Sequence, residues 1–394
     1  MGDSAGAVAS GKWNLYLVRS ALVAALGGLL FGFDTAVISG ATKALTDTFG
    51  LSPAMLGFTV SSALWGTVLG SIFAGYPSDR YGRLAALRGL AVFYVVSALG
   101  CAVAWDWPSL VVFRVIGGLA IGGSSVIGPM YIAEIAPAAR RGRLVALFQF
   151  NVVLGILVAY FSNYLVWLAG LGGSEWRWKL GVAAAPAVLF FGVLFGIPQS
   201  PRWLVRRGRL AEAREVLVKV GEQEVDREIR EIEATVSGEG AGRSVPLFQW
   251  RYRLPVFLAI TIGMFNQLAG INAILYYLND IFRAAGFDKV SSDLQAVAIG
   301  FTNLVFTMIA MSVIDRLGRK KLLLVGACGT AGCLAGVAAI FYTQAHQGLR
   351  TYVPQGLVES IEARWQGPLT APRSYQARGR VTGLSLAGKP PTGE

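Results

Sequence analysis

The residue with the clearest capacity for chemistry is Asp34, which follows Phe31-Gly32-Phe33 deep in the first apolar run of the chain. A charge in a bilayer interior costs at least about 2.5 to 3.5 kcal/mol. A carboxylate at such a position must therefore be protonated, be paired with a cation, or face water. Arg114, at the start of a later apolar stretch, is its natural partner. This setting favours a functional role for Asp34 over a structural one.

A second polar group consists of amides in one later apolar run. The segment reads Asn266-Gln267-Leu268-Ala269-Gly270-Ile271-Asn272 and is followed by Tyr276 and Tyr277. Carboxamides both donate and accept hydrogen bonds, as a neutral polyhydroxylated ligand requires, and Gly270 allows the helix to distort towards a cavity. The isolated amides Gln149 and Asn303 add to this chemistry. The structural alternative for any one amide is hydrogen bonding between helices.

A charged motif occurs twice between long apolar runs. Asp79-Arg80-Tyr81-Gly82-Arg83 and Asp315-Arg316-Leu317-Gly318-Arg319 share the acid, both arginines and the glycine at the same spacing. The glycine permits a tight turn between two spans, and the guanidinium groups can reach carboxylates on neighbouring segments. A lone copy would also fit an ordinary basic loop on the cytoplasmic side. The repeat indicates that the chain has two related halves.

Composition sets the class of protein. The chain is 54% hydrophobic and only 15% charged, whereas soluble domains carry about 25% charged residues, so we predict an all-α, multi-pass membrane protein. The net charge of +12 does not indicate a nucleic-acid partner, because the basic residues lie in loops between apolar runs. We expect the lipid bilayer as the surroundings and leave the oligomeric state open.

Enzymatic chemistry finds no support in the residues. Cys101, Cys328 and Cys333 lack metal-ligand spacing and are interpreted as small buried hydrophobes. The sequence has no phosphate-binding loop, and its one histidine, His346, lies beyond the last apolar run. We therefore predict no catalytic residues, no metal, no cofactor and no enzymatic activity.

Nine apolar runs are each close to the length of about 20 residues that crosses a bilayer. They lie at about 15–39, 54–76, 84–105, 108–132, 144–168, 178–197, 253–282, 294–314 and 321–343. The arginine-rich loops fall on one side, which the positive-inside rule makes cytoplasmic together with the amino terminus. We predict a six-helix bundle over 1–197, a cytoplasmic linker with short amphipathic helices over 198–252, a partial bundle of three helices over 253–343, and a basic, disordered tail over 344–394.

Several separated motifs resemble those of the sugar porters of the major facilitator superfamily, and of bacterial sugar-proton symporters in particular. They are Gly27-Gly28 with Phe31 to Asp34, the doubled charged motif, Pro129 to Glu134, Arg141-Gly142, Pro198 to Leu204, and Gln267 to Tyr277. The resemblance covers about residues 15–343. It implies two helical bundles, a monosaccharide site near the midplane, and alternating access by rocking of the bundles in the cytoplasmic membrane.

The resemblance also implies roles for individual residues. Asp34 would bind the proton and be coupled to Arg114. The sugar would be contacted by Phe31, Gln149, Asn266, Gln267, Asn272, Tyr277 and Asn303. A cytoplasmic charge network that latches the outward-facing state would comprise Asp79, Arg83, Glu134, Arg141, Arg202, Asp315 and Arg319.

The chain departs from the family pattern in ways that leave an alternative open. Asn266 stands where the family has a glutamine, which leaves the particular sugar undecided, and Gln199 stands where it usually has a glutamate. After about residue 343 the family continues with three further spans, whereas Ala345–Glu394 has no apolar run of even ten residues. The primary prediction is a sugar-proton symporter. The alternatives are a truncated or frameshifted product that does not transport, or a sugar-binding sensor.

Overall fold

The computed structural model describes residues 14–138, 140–240, 250, 253–284, 289–343, 355–366 and 374–385. In these ranges, eight helical segments are long and apolar enough to cross a membrane. They agree with eight of the nine runs predicted from hydropathy. The protein is therefore a multi-pass membrane protein.

The described residues between 14 and 240 contain twelve α-helices. They are α1 (Leu15–Val37), α2 (Thr42–Phe49), α3 (Pro53–Phe73), α4 (Gly75–Tyr81), α5 (Arg83–Val103), α6 (Trp107–Ile135), α7 (Arg141–Leu168), α8 (Glu175–Gly181), α9 (Ala184–Val193), α10 (Pro201–Arg206), α11 (Leu210–Val220) and α12 (Val225–Gly240). Short 3-10 turns at Ile38–Gly40, Gly172–Ser174 and Leu194–Gly196 extend α1, α8 and α9.

Five further helices and two strands follow. They are α13 (Arg253–Leu268), α14 (Ile271–Tyr276), α15 (Leu278–Ala284), α16 (Lys289–Leu317), α17 (Arg319–Tyr342), β1 (Gln355–Gln366) and β2 (Ser374–Ser385). The run predicted as a seventh span at 253–282 is thus not one continuous helix. Gly270, with φ of +74°, separates α13 from α14. The helix is thus distorted at the glycine where distortion was expected.

Several helices begin at residues with strong capping signals. The Asn14 side chain accepts bonds from the backbone N–H groups of Tyr16 and Leu17 at the start of α1. Asp106 forms a capping box with Ser109 at the start of α6. Such side chains satisfy the first N–H groups of a helix, which have no partner within it. The beginnings of these spans are therefore fixed by local sequence.

Glycines let two pairs of helices pack backbone against backbone. A Cβ on Gly118 of α6 would lie 2.0 Å from the Ala63 carbonyl oxygen of α3, and one on Gly66 of α3 would lie 2.2 Å from the Val115 carbonyl oxygen of α6. A Cβ on Gly155 of α7 would lie 2.0 Å from the Leu29 carbonyl oxygen of α1. Close contact through small residues is the usual basis of helix association in membranes.

Two buried apolar clusters lie at opposite ends of the bundle. The inner end is defined here as the end where α4 meets α5 and α7 begins, and the outer end as the end where α1 finishes and α8 begins. The cluster at the inner end joins α1, α5, α6 and α7 to α10 and α11. The cluster at the outer end joins α1, α7 and α8 to α14, α15 and α16 through Leu275, Tyr276, Leu278 and Ala296.

The chain divides into two compact units after Gly318. The first unit contains α1 to α16, with Ala284 assigned to the second. The second unit contains α17 and an antiparallel hairpin, in which β1 pairs with β2 from Gln366 opposite Ser374 to Gln355 opposite Ser385. Disorder was predicted for 344–394 from its composition, and the hairpin departs from that prediction at 355–366 and 374–385, where backbone pairing rather than apolar composition organises the chain.

One cysteine prediction is confirmed and two are wrong. Cys101 is buried on α5, as expected for a small hydrophobe. Cys328 and Cys333 on α17 are exposed, because the window of α17 that could cross a membrane buries none of its residues within the described structure.

Candidate functional site

Asp34 and Arg114 lie next to each other in the outer half of the bundle. Asp34 is on α1 and Arg114 is on α6, and a carboxylate oxygen of Asp34, Oδ2, is 3.8 Å from Nη2 of Arg114. The arginine side chain is 1% exposed, whereas that of Asp34 is 26% exposed. The structure therefore brings together the two residues that the sequence singled out as partners, with the carboxylate as the more accessible member.

A small cavity adjoins this pair. Its volume is about 20 Å³, which is room for one water-sized molecule. Its lining residues come from α1, α5, α6, α8 and the start of the turn before α9, and they are Leu30, Asp34, Val37, Tyr94, Ser97, Ala98, Cys101, Arg114, Gly117, Leu180 and Ala183. The Asp34 carboxylate, the Arg114 guanidinium and the polar side chains of Tyr94 and Ser97 thus line a cavity that is otherwise mostly apolar.

The amides of the broken seventh span are partly brought together. Asn272 Nδ2 donates a hydrogen bond to Gln267 Oε1 at 3.0 Å, across the break at Gly270. Tyr277 follows at the end of α14. The side chain of Asn266 lies outside the described residues. The break thus places carboxamides from α13 and α14 side by side.

The other predicted sugar contacts are distributed over three helices. Phe31 packs against the inner apolar cluster from α1. Gln149 is exposed on α7 and Asn303 is half-buried on α16. Among the described residues, no hydrogen bond joins these three side chains to the Gln267–Asn272 pair, so their joint role stays a prediction.

Two tyrosines that the sequence reasoning did not assign connect the seventh segment to the bundle. The hydroxyl of Tyr160 on α7 donates to the Leu275 carbonyl oxygen at 3.1 Å. Tyr276 is buried in the outer cluster, among residues of α1 and α7. A tyrosine that is buried in an apolar span and carries a hydroxyl in need of a partner is the signal that could have identified both residues.

Arg83 is the centre of a charge network at the inner end. Its Nε and Nη2 donate to the two carboxylate oxygens of Glu134 at 3.0 and 2.9 Å, and its Nη1 donates to Asp79 at 2.9 Å. The Ser200 hydroxyl donates to Glu134 at 2.5 Å. A bidentate pair of this kind fixes the orientation of both groups, so α4, α5, α6 and the start of α10 are joined at one point.

The turn of the first charged motif depends on its glycine. Gly82 has φ of +97°, and a Cβ there would lie 2.3 Å from Nε2 of Gln199. Oε1 of Gln199 accepts from the backbone N–H groups of Leu84 and Ser200. Gln199 therefore serves as a hydrogen-bonding cap at this junction. Gly318 in the second motif also has positive φ, +81°, so the tight turn predicted at both glycines is confirmed.

A cavity of about 550 Å³ opens beside this network. Its charged lining residues are Asp79, Arg83, Glu134, Arg141, Arg202, Arg206, Glu228 and Glu231. Arg141 and Arg202 therefore face the same space as the bonded trio, as the sequence suggested, while Arg206 and the two glutamates of α12 were missed. Partial burial, followed by the charges of Glu222 and Glu231, raises the pKa of Glu228. The side chains of Asp315 and Arg319 lie outside the described residues.

A buried ionic cluster at the outer end was also missed. Lys179 on α8 is 1% exposed, and its Nζ lies 2.7 Å from Glu175 and 4.0 Å from Asp293 of α16. Lys179 also donates to the Gly40 carbonyl oxygen at 3.0 Å, and Asn279 of α15 donates to Asp293. A lone lysine within an apolar run carries the same cost as Asp34, and that argument could have identified it.

Comparison with known proteins decides the family. The family described as "Sugar (and other) transporter" matches residues 20–354. The chain belongs to this sugar transporter family. The arabinose-proton symporter of Bacillus subtilis (strain 168) is 38% identical to it over 343 residues, which cover 86% of this chain and 74% of that protein. The D-xylose-proton symporter of Escherichia coli (strain K12) is 35% identical over 366 residues, covering 84% and 73%.

The solved structures agree with this transporter family. The xylose transporter XylE from E. coli, in a partially occluded inward open conformation, matches with a TM-score of 0.75 at 35% identity. The match covers 84% of this chain and 80% of that chain. The transporter thus has the fold of the major facilitator superfamily, and the fold class predicted from its motifs is confirmed.

Proposed function

We propose that this transporter moves a monosaccharide across the cytoplasmic membrane together with a proton, by alternating access. The observation that carries the proposal is the pair formed by Asp34 and Arg114, 3.8 Å apart beside a cavity within the bundle. Proton symport needs a carboxylate whose charge is balanced in one state and removed by protonation in another. The named relatives include proton symporters for arabinose and for D-xylose, which supports a sugar as the co-transported substrate.

Pairing with Arg114 supplies the switch. While the two groups lie side by side, the Arg114 guanidinium balances the charge of the Asp34 carboxylate. A proton on Asp34 removes this attraction, and the balance between the two arrangements of the helical segments changes. Binding of sugar adds its own preference for one arrangement, so the two ligands become coupled.

A pentose or hexose is the proposed substrate class. The bonded amides Gln267 and Asn272 supply both donors and acceptors, and a neutral sugar requires both. We assign sugar contacts to the residues that the family resemblance implied, which are Phe31, Gln149, Asn266, Gln267, Asn272, Tyr277 and Asn303. No enzymatic step is part of this proposal.

The orientation follows from charge. By the positive-inside rule, the basic residues of the inner end support a cytoplasmic location for that end and for the amino terminus. The network around Arg83 then lies on the cytoplasmic side, where we assign it, with Arg141, Arg202, Asp315 and Arg319, to control of cytoplasmic closure. We retain the domain organisation as bundles at 1–197 and 253–343 joined by the linker at 198–252, with the tail at 344–394.

Uptake tests the function. This chain, expressed in cells that lack their own sugar porters and shown by blot to be inserted, is offered radiolabelled pentoses and hexoses with and without a protonophore. Accumulation of at least one sugar that collapses with the protonophore is the expected result. Inserted protein that accumulates none of the sugars would contradict the proposal. Accumulation that is insensitive to the protonophore would show sugar transport without proton coupling.

A further inference from the structure

Arg114 is bonded to α3 more closely than to Asp34. Its Nε donates to the Thr59 carbonyl oxygen at 3.1 Å, and its Nη2 approaches the Val60 carbonyl oxygen at 3.5 Å. The distance from Nη2 to the Asp34 carboxylate is 3.8 Å, which is beyond hydrogen-bond length. The guanidinium is therefore held on the main chain of α3, and Asp34 interacts with it mainly through charge.

The same threonine makes a second bond to α6. The Trp107 Nε1 donates to the Thr59 hydroxyl at 2.8 Å, and that hydroxyl donates to the Met55 carbonyl oxygen at 2.7 Å. Trp107 and Arg114 are seven residues apart, so they lie on one face of α6. Thr59 is fully buried. Its hydroxyl and its carbonyl thus bind α6 at two points two turns apart.

Helix packing makes this attachment rigid. Gly66 and Gly118 bring the backbones of α3 and α6 into contact just beyond Thr59, where a Cβ would overlap the facing carbonyl oxygens. The Arg114 side chain is only 1% exposed and therefore has little room to move relative to α3. Asp34 is on a different helix, α1, and is partly open to the cavity. Of the two partners, the carboxylate is the one with freedom to approach and withdraw.

We propose that Thr59, held by Trp107, is a positioning residue that fixes Arg114 on α3, so that Asp34 is the moving partner of the proton-coupling pair. The proposal rests on the proposed symport function. It differs from a mechanism in which protonation of Asp34 releases the arginine, because here the arginine stays on α3 in both states. Because Nη2 is held beyond hydrogen-bond distance of the carboxylate, the pair is joined by charge alone.

The groups that face the pair come from four elements. The charged groups are Asp34 of α1 and Arg114 of α6, and the titratable groups near them are Tyr94 and Cys101 of α5 and Tyr276 of α14. The two charged groups are therefore the ones expected to dominate the pH response.

Two variants remove the bond between Trp107 and Thr59 without touching either charge. Thr59→Val removes the acceptor at nearly constant volume, and Trp107→Phe removes the donor. The Thr59 carbonyl oxygen that accepts from Arg114 is kept in both variants, so each loosens only the side-chain attachment of this turn of α3 to α6. With that attachment loosened, the guanidinium should come closer to Asp34 and tighten the pair. We expect the external pH of half-maximal proton-driven uptake to fall by about half a pH unit, the size expected from one neutral hydrogen bond.

The measurement uses the full chain in proteoliposomes of fixed internal pH, with sugar uptake followed as a function of external pH. The midpoint of this curve does not depend on the amount of inserted protein. Thr59→Ser keeps the hydroxyl and should keep the wild-type midpoint. Trp105→Phe is the matched control, because Trp105 is an exposed tryptophan two residues away that packs against Phe113. The double variant Thr59→Val/Trp107→Phe should shift no further than either single one.

The outcomes separate this inference from the function on which it rests. Absence of proton-driven uptake by the wild type overturns the symport function and the inference with it. Symport by the wild type, with unchanged or raised midpoints in Thr59→Val and Trp107→Phe, overturns the inference alone. Failure of both single variants to insert while Thr59→Ser inserts also overturns it, since that result assigns the bond to folding.

Discussion

At the scale of single residues, Arg83 organises the inner end through a bidentate bond to Glu134 and a third bond to Asp79. The side chains of Arg83 and Glu134 are both buried, whereas Asp79 is half exposed. Loss of one member of a buried pair leaves the other charge without compensation, which costs far more than loss of a surface pair. The stability of this end should therefore depend on Glu134.

Glu134→Gln is expected to destabilise the protein by about 2 kcal/mol, because an amide cannot balance the Arg83 guanidinium. The measurement is Tm in detergent. Glu212→Gln is the control, since Glu212 pairs with Arg209 on the surface of the linker and such pairs contribute little. Equal changes in Tm for the two variants would contradict the account of the network.

Partnership between Asp34 and Arg114 was predictable from sequence, because a charge in an apolar run must be compensated. Their geometry was not. Arg114 is held by the main-chain carbonyl oxygens of Thr59 and Val60, and every residue type carries such an oxygen, so no pattern of side chains could reveal it. The same reason explains why the bond from Tyr160 to the Leu275 carbonyl was missed.

At the scale of elements, hydropathy and capping residues locate most spans to within a few residues. The prediction was wrong where one apolar run contains a backbone break, since a window average does not register the positive φ of Gly270. Contacts between α3 and α6, in contrast, follow from a simple sequence pattern. Gly118 and Gly122 lie four residues apart on α6, a spacing that permits close packing, and a Cβ at Gly118 would lie 2.0 Å from the Ala63 carbonyl oxygen.

Gly118→Ala should push α3 and α6 apart, because the clash is with backbone that cannot rotate away. Overpacking of this kind costs about 1 to 3 kcal/mol, and we expect the fraction of monodisperse protein after detergent extraction to fall. Gly89→Ala is the control, since no atom lies within 4 Å of a Cβ on Gly89 in α5. Equal yields of the two variants on size-exclusion chromatography would show that the contact tolerates a methyl group.

The cluster around Lys179 joins α8 to α15 and α16 at the outer end through Asp293 and Asn279, and we expect it to hold this end closed. Lys179→Met leaves the Glu175 and Asp293 carboxylates without this cation. Each 1.4 kcal/mol lost from the closed arrangement raises the open fraction about tenfold. Cys101 lines the cavity beside Asp34, and its modification by an impermeant maleimide reports opening.

We expect Lys179→Met to raise the rate of Cys101 modification from outside by at least about tenfold, in a background of Cys328→Ser and Cys333→Ser. Lys43→Met is the control, because Lys43 is exposed at the same end. A rate equal in Lys179→Met and Lys43→Met would mean that the cluster does not govern outer closure. Loss of signal in Cys101→Ser establishes the site of modification.

At the scale of the whole molecule, the described contacts place ionic networks at both ends of the bundle and the Asp34–Arg114 pair between them. The segments α14 to α16 meet α1, α7 and α8 at the outer end through the apolar cluster and the Lys179 bonds. In the proposed orientation this is closure towards the outside.

The central claim is that a sugar and a proton cross the membrane together, and that Asp34 is the residue that binds the proton. Its most direct test is the external pH of lightly buffered proteoliposomes containing this chain, recorded as sugar is added. The account predicts alkalinisation on addition of a transported pentose or hexose, and none with Asp34→Asn, which should still exchange labelled for unlabelled sugar. Sugar entry without a pH change in the wild type, or undiminished alkalinisation with Asp34→Asn, would contradict it.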